Sequence, residues 1–353
     1  MSKSNFIFKG LPARVRFGRG ELANLNDEVQ NLGLSRVAVL TTPKQADTGA
    51  QVARQLDGLC VGVNSTAAMH TPVEVTNTAL KWVNELEVDG LVSVGGGSTI
   101  GLGKAIALRT DLPQICVPTT YAGSEMTDIL GQTVEGKKTT QRGAAIQPEV
   151  VIYDPNLTDS LPINMSVTSG FNAIAHAIEA LYATDCNPII EYLASEGIRL
   201  ITKSLPALEG LDAKCAREDT LKGAWYCGVA LGSCSMALHH KLAHVLGGTF
   251  NLPHAESHTA LLPYSLAYNE AVLNGELKKA KRVLDTENLA QSLFDLAHEL
   301  GAPTSLSDVG MPKDGIEQAT EIAVATPYPN PRPLTKEGIR ELLDDAFHGR
   351  RPT

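Results

Sequence analysis

A glycine-rich turn between a strand and a helix, VSVGGGSTI at residues 92–100, is the most informative segment of this 353-residue sequence. Glycines let a ligand approach the backbone closely, and the N–H groups at a helix N-terminus favour an anion such as a pyrophosphate. Ser98 could serve as the N-cap or as a phosphate donor. Ile100 occupies the third glycine position of a G-x-G-x-x-G fingerprint, and Ala105 follows Gly103-Lys104 where a P-loop needs serine or threonine. An anion-binding loop and an ordinary tight turn therefore both remain open.

Short apolar strands alternate with helical stretches around this turn. We predict a helix over residues 73–86 and strands over residues 36–40, 59–63, 90–94, 114–118 and 149–153. This alternation predicts a parallel, doubly wound sheet with helices on both faces. Continuous apolar strands fit that arrangement, because such a sheet is covered on both sides.

The composition changes after Asp154-Pro155, where turn residues and two prolines precede a long helical region. We predict an α/β domain over residues 1–157 and an all-helical domain over residues 158–353. No strand is predicted after Ser166. The predicted helices of the second domain cover residues 166–183, 189–205, 215–231, 235–246, 257–273, 288–300, 314–325 and 336–347.

Charge and composition exclude several classes of partner. The net charge of -9 argues against nucleic acid, which requires a basic face. No apolar run approaches the roughly 18 residues that cross a bilayer, and the N-terminus does not resemble a signal peptide. The six cysteines form no C-x-x-C pair and are interpreted as reduced thiols. We expect a cytoplasmic homodimer that binds a small molecule and neither nucleic acid nor membrane.

A second polar turn, PTTYAGSE at residues 118–125, follows the next predicted strand. Its hydroxyls and glycine stand at the carboxyl end of that strand, where parallel sheets bind ligands. By itself the segment could be a hydrogen-bonded turn. Two such turns in one sheet favour a ligand site.

Four of the nine histidines fall in two short stretches, residues 171–176 and 238–244. Asn172 and His176 are four residues apart on a predicted helix, as are His240 and His244, so each pair shares a helix face. A predicted loop then carries His254. A lone histidine is usually structural, but paired histidines on two helices and one on a loop predict a shared polar site for a metal ion or acid catalysis. His239 is predicted on another face with a structural role, and His258 has no comparable context.

Together, these segments resemble the iron-containing alcohol dehydrogenase family over nearly the whole chain. FGRG at residues 17–20 resembles the family's opening turn, GGGS at residues 95–98 its pyrophosphate loop, and PTT at residues 118–120 its nicotinamide-side loop. The resemblance implies a dehydroquinate synthase-like architecture and NADH or NADPH as cofactor. The candidate cofactor-binding residues are Thr42, Gly95, Gly96, Gly97, Ser98, Thr119, Thr120, Ser124 and Lys138.

One position departs from the pattern of most members, in which an aspartate and three histidines bind iron or zinc. The matching residues here are Asn172, His176, His240 and His254, and a carboxamide is a weaker, uncharged ligand. His244 matches a histidine near the nicotinamide. The runs at residues 171–182, 236–248 and 250–256, including Lys241, resemble one branch of the family, the maleylacetate reductases, and this resemblance implies that no metal is bound.

The same resemblance implies reduction of the C=C bond of maleylacetate to 3-oxoadipate in the catabolism of aromatic compounds. His244 and His254 are then candidates for enolate stabilisation and proton delivery, and the candidates for binding the carboxylates are Asn172, His176, His240 and Lys241. A metal-dependent alcohol or glycerol dehydrogenase is the first alternative, which Asn172 disfavours. A nucleotide-binding module without chemistry is the second.

Overall fold

The protein comprises two compact units. The computed structural model describes residues 6–8, 10, 14–134 and 137–353, with only the backbone at residues 137 and 138. One unit runs from Gly10 to Leu161, and the other from Pro162 to Thr353 together with the described residues before Gly10. The division lies four residues beyond the predicted boundary, because the turn after Asp154 stays with the sheet. Asp154 accepts hydrogen bonds from Gly20 N and Leu22 N, and Arg19 Nη1 lies 3.0 Å from Asp159 Oδ2.

The sheet unit is built on six parallel strands. Their bounds are β1 (Arg14–Phe17), β2 (Val37–Leu40), β3 (Cys60–Asn64), β4 (Gly90–Gly95), β5 (Gln114–Pro118) and β8 (Val150–Tyr153). The spatial order is β1-β8-β5-β4-β2-β3. An antiparallel pair, β6 (Ile129–Val134) and β7 (Lys137–Arg142), forms a separate two-stranded sheet. Five strands of the parallel sheet were predicted, whereas β1 and the β6–β7 pair were not.

Apolar side chains alternate between the two faces of the sheet. Val37 and Val39 pack with helices α1 (Leu25–Asn31) and α2 (Ala46–Gln55). Ala38 and Leu40 pack with α3 (Val73–Glu85) and α4 (Gly97–Thr110) on the opposite face. Helices therefore cover both faces, which confirms the doubly wound α/β prediction.

The second unit is helical throughout the part that the structure describes. Its helices are α5 (Ile163–Tyr182), α6 (Pro188–Ser204), α7 (Ala213–Ser233), α8 (Leu238–Phe250), α9 (His254–Glu270), α10 (Lys278–Leu284), α11 (Leu289–Glu299), α12 (Gly315–Val324) and α13 (Lys336–His348). The sequence predicted all of them except α10. Helix α5 is buried almost from end to end because α6, α7 and α9 pack around it. Within the described ranges, no helix combines the length and apolarity that a membrane span requires.

Candidate active site

The glycine turn connects the end of β4 to the start of α4. Gly95 has a φ of 156°, and a Cβ there would lie 2.3 Å from Thr99 Oγ1. A Cβ at Gly96, the N-cap of α4, would lie 2.9 Å from Thr120 Cγ2, whereas a Cβ at the exposed Gly97 would meet no atom within 4 Å. The backbone at the helix N-terminus is thus tightly packed at Gly95 and Gly96 but open to solvent at Gly97. This arrangement fits a site for a pyrophosphate. The N-cap is Gly96 and not Ser98, because the helix already begins at Gly97.

The other predicted cofactor residues follow neighbouring strands of the same sheet. Thr119 N donates a hydrogen bond to Gly95 O at 3.1 Å, which places the loop after β5 beside the glycine turn. Gln45 Nε2 donates to Thr119 Oγ1 at 2.8 Å, and Thr42 Oγ1 donates to Gln45 Oε1 at 3.4 Å. Side chains after β2 and β5 are therefore linked across the carboxyl end of β4. Sequence analysis missed Gln45, which has no distinguishing local motif.

A buried lysine holds the loop that contains Ser124. Lys104 Nζ, on α4, donates to Ser124 O at 2.5 Å, Thr127 O at 2.7 Å and Ile129 O at 3.0 Å. Burial lowers the pKa of Lys104 to about 8. The loop continues into the β6–β7 pair and not into a helix. Lys138 lies on β7 opposite Thr133, and its side chain is outside the described part of the chain.

Six histidines of the helical unit form one cluster. His176 lies on α5, His239, His240 and His244 on α8, and His254 and His258 on α9. The distances between ring centroids are 4.9 Å for His176 and His240, 6.5 Å for His240 and His244, 4.4 Å for His254 and His258, and 5.2 Å for His240 and His258. The structure therefore brings together the four histidines that the sequence singled out.

Two predictions about this cluster were wrong. His254 is the first residue of α9 and does not lie in a loop. His258 consequently stands one turn further along the same helix and contacts the cluster, although the sequence gave it no context. The signal that could have found it is the spacing of four residues from His254.

Glu179 is fully buried on α5 and contacts both the start of α8 and the His240 ring of the cluster. Its Oε2 accepts hydrogen bonds from Ala237 N at 2.9 Å and His240 Nδ1 at 2.6 Å, and its Oε1 accepts from His239 N at 2.8 Å and Tyr182 Oη at 3.0 Å. Burial alone would raise the pKa of Glu179, but the hydrogen bond from His240 and the nearby imidazoles lower it to about 2. Glu179 is a site residue that the sequence analysis missed, three residues after His176.

Two chains of hydrogen bonds run through the imidazoles. Because Glu179 is an acceptor, a neutral His240 carries its proton on Nδ1, and its Nε2 accepts from His176 Nδ1 at 2.7 Å. In the second chain, His239 Nδ1 lies 2.8 Å from Ser265 Oγ, and His239 Nε2 lies 2.8 Å from His258 Nδ1. Burial lowers the pKa of His239 to about 3 and that of His258 well below its ordinary value. Both rings of the second chain are therefore neutral near pH 7.

Asn172 and Lys241 complete the predicted set. Asn172 is buried on α5, one turn before His176. Lys241 is partly exposed on α8, and its Nζ lies 5.7 Å from the ring centroid of Tyr328. This distance allows a cation–π interaction that restricts the lysine without neutralising it. Lys241 thus adds a basic side chain to the helix that carries His240 and His244.

A glycine turn at a helix N-terminus on a doubly wound sheet and a histidine cluster on a helical unit are typical of a class of two-unit, nucleotide-dependent oxidoreductases. Comparison with known families gives the particular member of this class. The family model described as iron-containing alcohol dehydrogenase matches residues 12–155, and the model of that family's C-terminal region matches residues 166–347. The chain belongs to the iron-containing alcohol dehydrogenase family.

Several relatives match over almost their full length. A maleylacetate reductase of Sphingobium indicum is 51% identical over 349 residues, which cover 98% of this chain and 99% of the relative. The crystal structure of a maleylacetate reductase from Agrobacterium tumefaciens has a TM-score of 0.94 at 50% identity, covering 99% of this chain and 100% of that one. An iron-containing alcohol dehydrogenase from Corynebacterium glutamicum has a TM-score of 0.93 at 39% identity, covering 99% of both chains.

The family name implies iron, but the contacts and the charge of this site argue against a bound metal ion. Both ring nitrogens of His240 are engaged, Nδ1 by Glu179 and Nε2 by His176. A metal ion bound by His240 would need the lone pair of one of these two nitrogens, and both nitrogens already take part in a hydrogen bond. Asn172 also supplies no negative charge to offset that of a cation. Among the described residues, no three or more side chains of histidine, cysteine, aspartate or glutamate are arranged to hold an ion. We therefore derive no catalytic step from a metal.

Proposed function

We propose that this protein is a maleylacetate reductase that uses NADH or NADPH to reduce the C=C bond of maleylacetate, giving 3-oxoadipate in the catabolism of aromatic compounds. The observation that carries the proposal is 51% identity, over nearly the full length of both chains, to relatives named maleylacetate reductase. The histidine cluster and the glycine turn support it, because they supply the two kinds of binding group that such a reaction requires.

The substrate sets clear demands on the site. Maleylacetate is a dianion whose C=C bond is conjugated to a ketone. A nicotinamide would supply the hydride for the alkene carbon β to the ketone, and this reduction leaves negative charge on the ketone oxygen. The resulting enolate needs hydrogen-bond donors, and its α carbon then takes one proton. The two carboxylates need cationic or hydrogen-bonding partners.

The helical unit offers a group for each demand. His244 and His254 stabilise the enolate oxygen and deliver the proton, since both imidazoles are partly exposed at the edge of the cluster. Lys241 supplies a positive charge for a carboxylate, and Asn172 supplies an amide donor. The buried His240, whose two ring nitrogens both have partners, holds His176 in place, and His176 completes the carboxylate-binding set when it carries hydrogen on both ring nitrogens. In the sheet unit, the open backbone at Gly97 binds the pyrophosphate, with Thr119 and Thr120 on the nicotinamide side.

The decisive experiment is NADH oxidation by the purified protein in the presence of maleylacetate. The same preparation should be assayed with NAD⁺ and simple alcohols or glycerol, with and without added iron or zinc. Turnover of maleylacetate in the presence of a chelator supports the proposal. Metal-dependent alcohol oxidation without maleylacetate turnover would instead identify an alcohol dehydrogenase, and cofactor binding with neither activity would indicate a module that has lost its chemistry.

The residues after β2 predict weak discrimination between NADH and NADPH. An acidic side chain there normally accepts from the ribose 2′-hydroxyl and repels a 2′-phosphate, but this chain has TTPK at residues 41–44. Thr42 takes the place of the acid, and the exposed Lys44 attracts a phosphate. We expect comparable kcat/KM values for the two cofactors. Thr42→Asp should lower kcat/KM for NADPH much more than for NADH, and an unmodified enzyme that prefers NADH several thousandfold would contradict this.

We also propose that the protein is a cytoplasmic homodimer. Light scattering of the purified protein would test whether it is a dimer.

A further inference from the structure

We propose that Glu179 is the positioning residue of the candidate active site: it anchors the start of α8 and fixes the tautomer and orientation of His240, and through His240 those of His176. The expected effect of Glu179 on kcat rests on the proposed function. Its effects on the start of α8 and on the imidazole tautomers do not depend on which substrate binds. Glu179 acts through His240 and contacts neither substrate nor cofactor in this account.

The first step of the argument concerns the start of α8. The first N–H groups of a helix have no partner within the helix, and a side chain at the N-cap usually accepts from them. The N-cap here is Ala237, which cannot do so. Glu179 replaces that function from another helix, because it accepts from Ala237 N, His239 N and His240 N. A carboxylate at a helix N-terminus also interacts favourably with the helix dipole.

The second step concerns the ring of His240. Five N–H and O–H groups donate hydrogen bonds to the two oxygens of Glu179, so both oxygens act only as acceptors. His240 Nδ1 must therefore carry the shared proton, and in the neutral ring Nε2 must accept. His176 Nδ1 lies 2.7 Å from that nitrogen and meets it as the donor. One carboxylate thus determines which nitrogen of each of two imidazoles bears hydrogen.

The third step is a comparison within the same cluster. His239 and His258 form a similar pair, but their chain ends on the hydroxyl of Ser265 and not on a carboxylate. Ser265 Oγ in turn donates to Leu262 O at 3.1 Å. This second pair contacts the first through His240 and His258, whose ring centroids are 5.2 Å apart. It therefore provides an internal reference, because the His239 ring contacts Ser265 and His258 and makes no hydrogen bond to the Glu179 carboxylate.

The test compares Glu179→Gln with Tyr182→Phe. The glutamine must turn its NH₂ group towards backbone or imidazole N–H donors, so the anchor at His240 Nδ1 is weakened or lost. Tyr182→Phe removes one donor to Oε1 at 3.0 Å and leaves both contacts with His240 intact. We expect Glu179→Gln to lower kcat by about 10- to 100-fold, the usual effect of losing a residue that orients a functional histidine. The Kd of NADH should not change, and Tyr182→Phe should retain kcat within about twofold.

A spectroscopic measurement separates positioning from general destabilisation. Protein labelled with ¹⁵N at histidine reports the tautomer of each ring, and a His240→Gln sample assigns the His240 signals. In the parent protein and in Tyr182→Phe, His240 should carry hydrogen on Nδ1. In Glu179→Gln the His240 signals should shift or split between tautomers, while His239 keeps the tautomer it has in the parent protein.

The outcomes are decisive in either direction. An unchanged His240 tautomer with kcat within threefold of the parent in Glu179→Gln would overturn the proposal, as would an equal loss of kcat in Tyr182→Phe. If Glu179→Gln does not fold, Glu179→Asp keeps the charge but is one methylene too short to reach all its donors, and the same criteria apply to it. Failure of the proposed function would show itself separately, as a parent protein that does not turn over maleylacetate whatever its tautomers.

Discussion

An imidazole can donate or accept at each ring nitrogen, so its chemistry depends on what its neighbours demand. His240 faces a carboxylate on one side and another imidazole on the other, whereas His239 faces a hydroxyl. Adjacent residues on α8 therefore enter different hydrogen-bond chains. The sequence places the two on different faces of α8, but it does not show which chain each ring enters, because the partners lie on α5 and α9, which are distant in the chain.

The first prediction concerns the partly exposed histidines of the cluster. We expect His244→Ala and His254→Ala each to lower kcat by about 10²- to 10⁴-fold, the range for lost acid catalysis. The Kd of NADH should change little in His254→Ala, because the glycine turn belongs to the other unit. His298→Ala, at an exposed position on α11, is the matched control and should retain the parent rate.

Melting temperature separates this prediction from a purely structural role. If these histidines only hold helices together, their alanine variants will melt earlier but turn over at the parent rate in the folded state. Folded, NADH-binding variants with parent rates would contradict the mechanism.

The second prediction concerns Asn172 and metal. We expect turnover to survive exhaustive chelation, with metal content measured on the same sample. Asn172→Asp should raise the affinity for Zn²⁺ measured by calorimetry, because a charged ligand replaces a neutral one. Loss of activity on chelation that iron or zinc restores would refute metal independence. Unchanged Zn²⁺ affinity in Asn172→Asp would show that position 172 cannot act as a metal ligand together with His176, His240 and His254.

At the level of elements, the sequence predicted those helices and strands that have a helical periodicity or a continuous apolar run. The five predicted strands and most helices carry such patterns, and of these strands only the edge strand β3 is not buried. β1 was missed because it has only four residues, too few for its alternation of arginine and apolar residues to stand out, and it pairs at the sheet edge with the distant β8. β7 was missed because its residues, KKTTQR, are polar. The predicted start of α9 at residue 257 was three residues late, and this error concealed the relation of His254 to His258.

The third prediction concerns the glycine turn. Gly97→Val should weaken NADH binding by at least tenfold with little change in melting temperature, because its side chain would extend into open space above the helix N-terminus. Gly96→Val should instead lower the melting temperature, because its Cβ would press on Thr120. Fluorescence titration with NADH and thermal unfolding measure the two effects. Parent-like NADH affinity in folded Gly97→Val would show that the pyrophosphate does not approach this backbone.

At the scale of the whole molecule, each unit has its own apolar core and its own buried polar groups. The sheet unit contains Lys104 and Glu125, and the helical unit contains Glu179, His239 and His258. The two tryptophans are also divided, with Trp82 on α3 and Trp225 on α7. A Trp82→Phe protein therefore reports the unfolding of the helical unit by fluorescence alone.

The last prediction uses that reporter to follow stability against pH. Burial lowers the pKa of His239 from 6.5 to about 3, and that of His258 shifts in the same direction. Between these values the unfolded chain binds more protons than the folded one, so the free energy of unfolding must fall as pH falls below about 6.5. Each such histidine contributes up to about 1.4 kcal/mol per pH unit. In the Trp82→Phe background, His239→Gln should make this decrease shallower between pH 6 and pH 5, a window that lies above the titration of Glu179. His298→Gln should leave it unchanged. Equal pH dependence in the His239→Gln and parent proteins would mean that His239 does not remain neutral in the folded state.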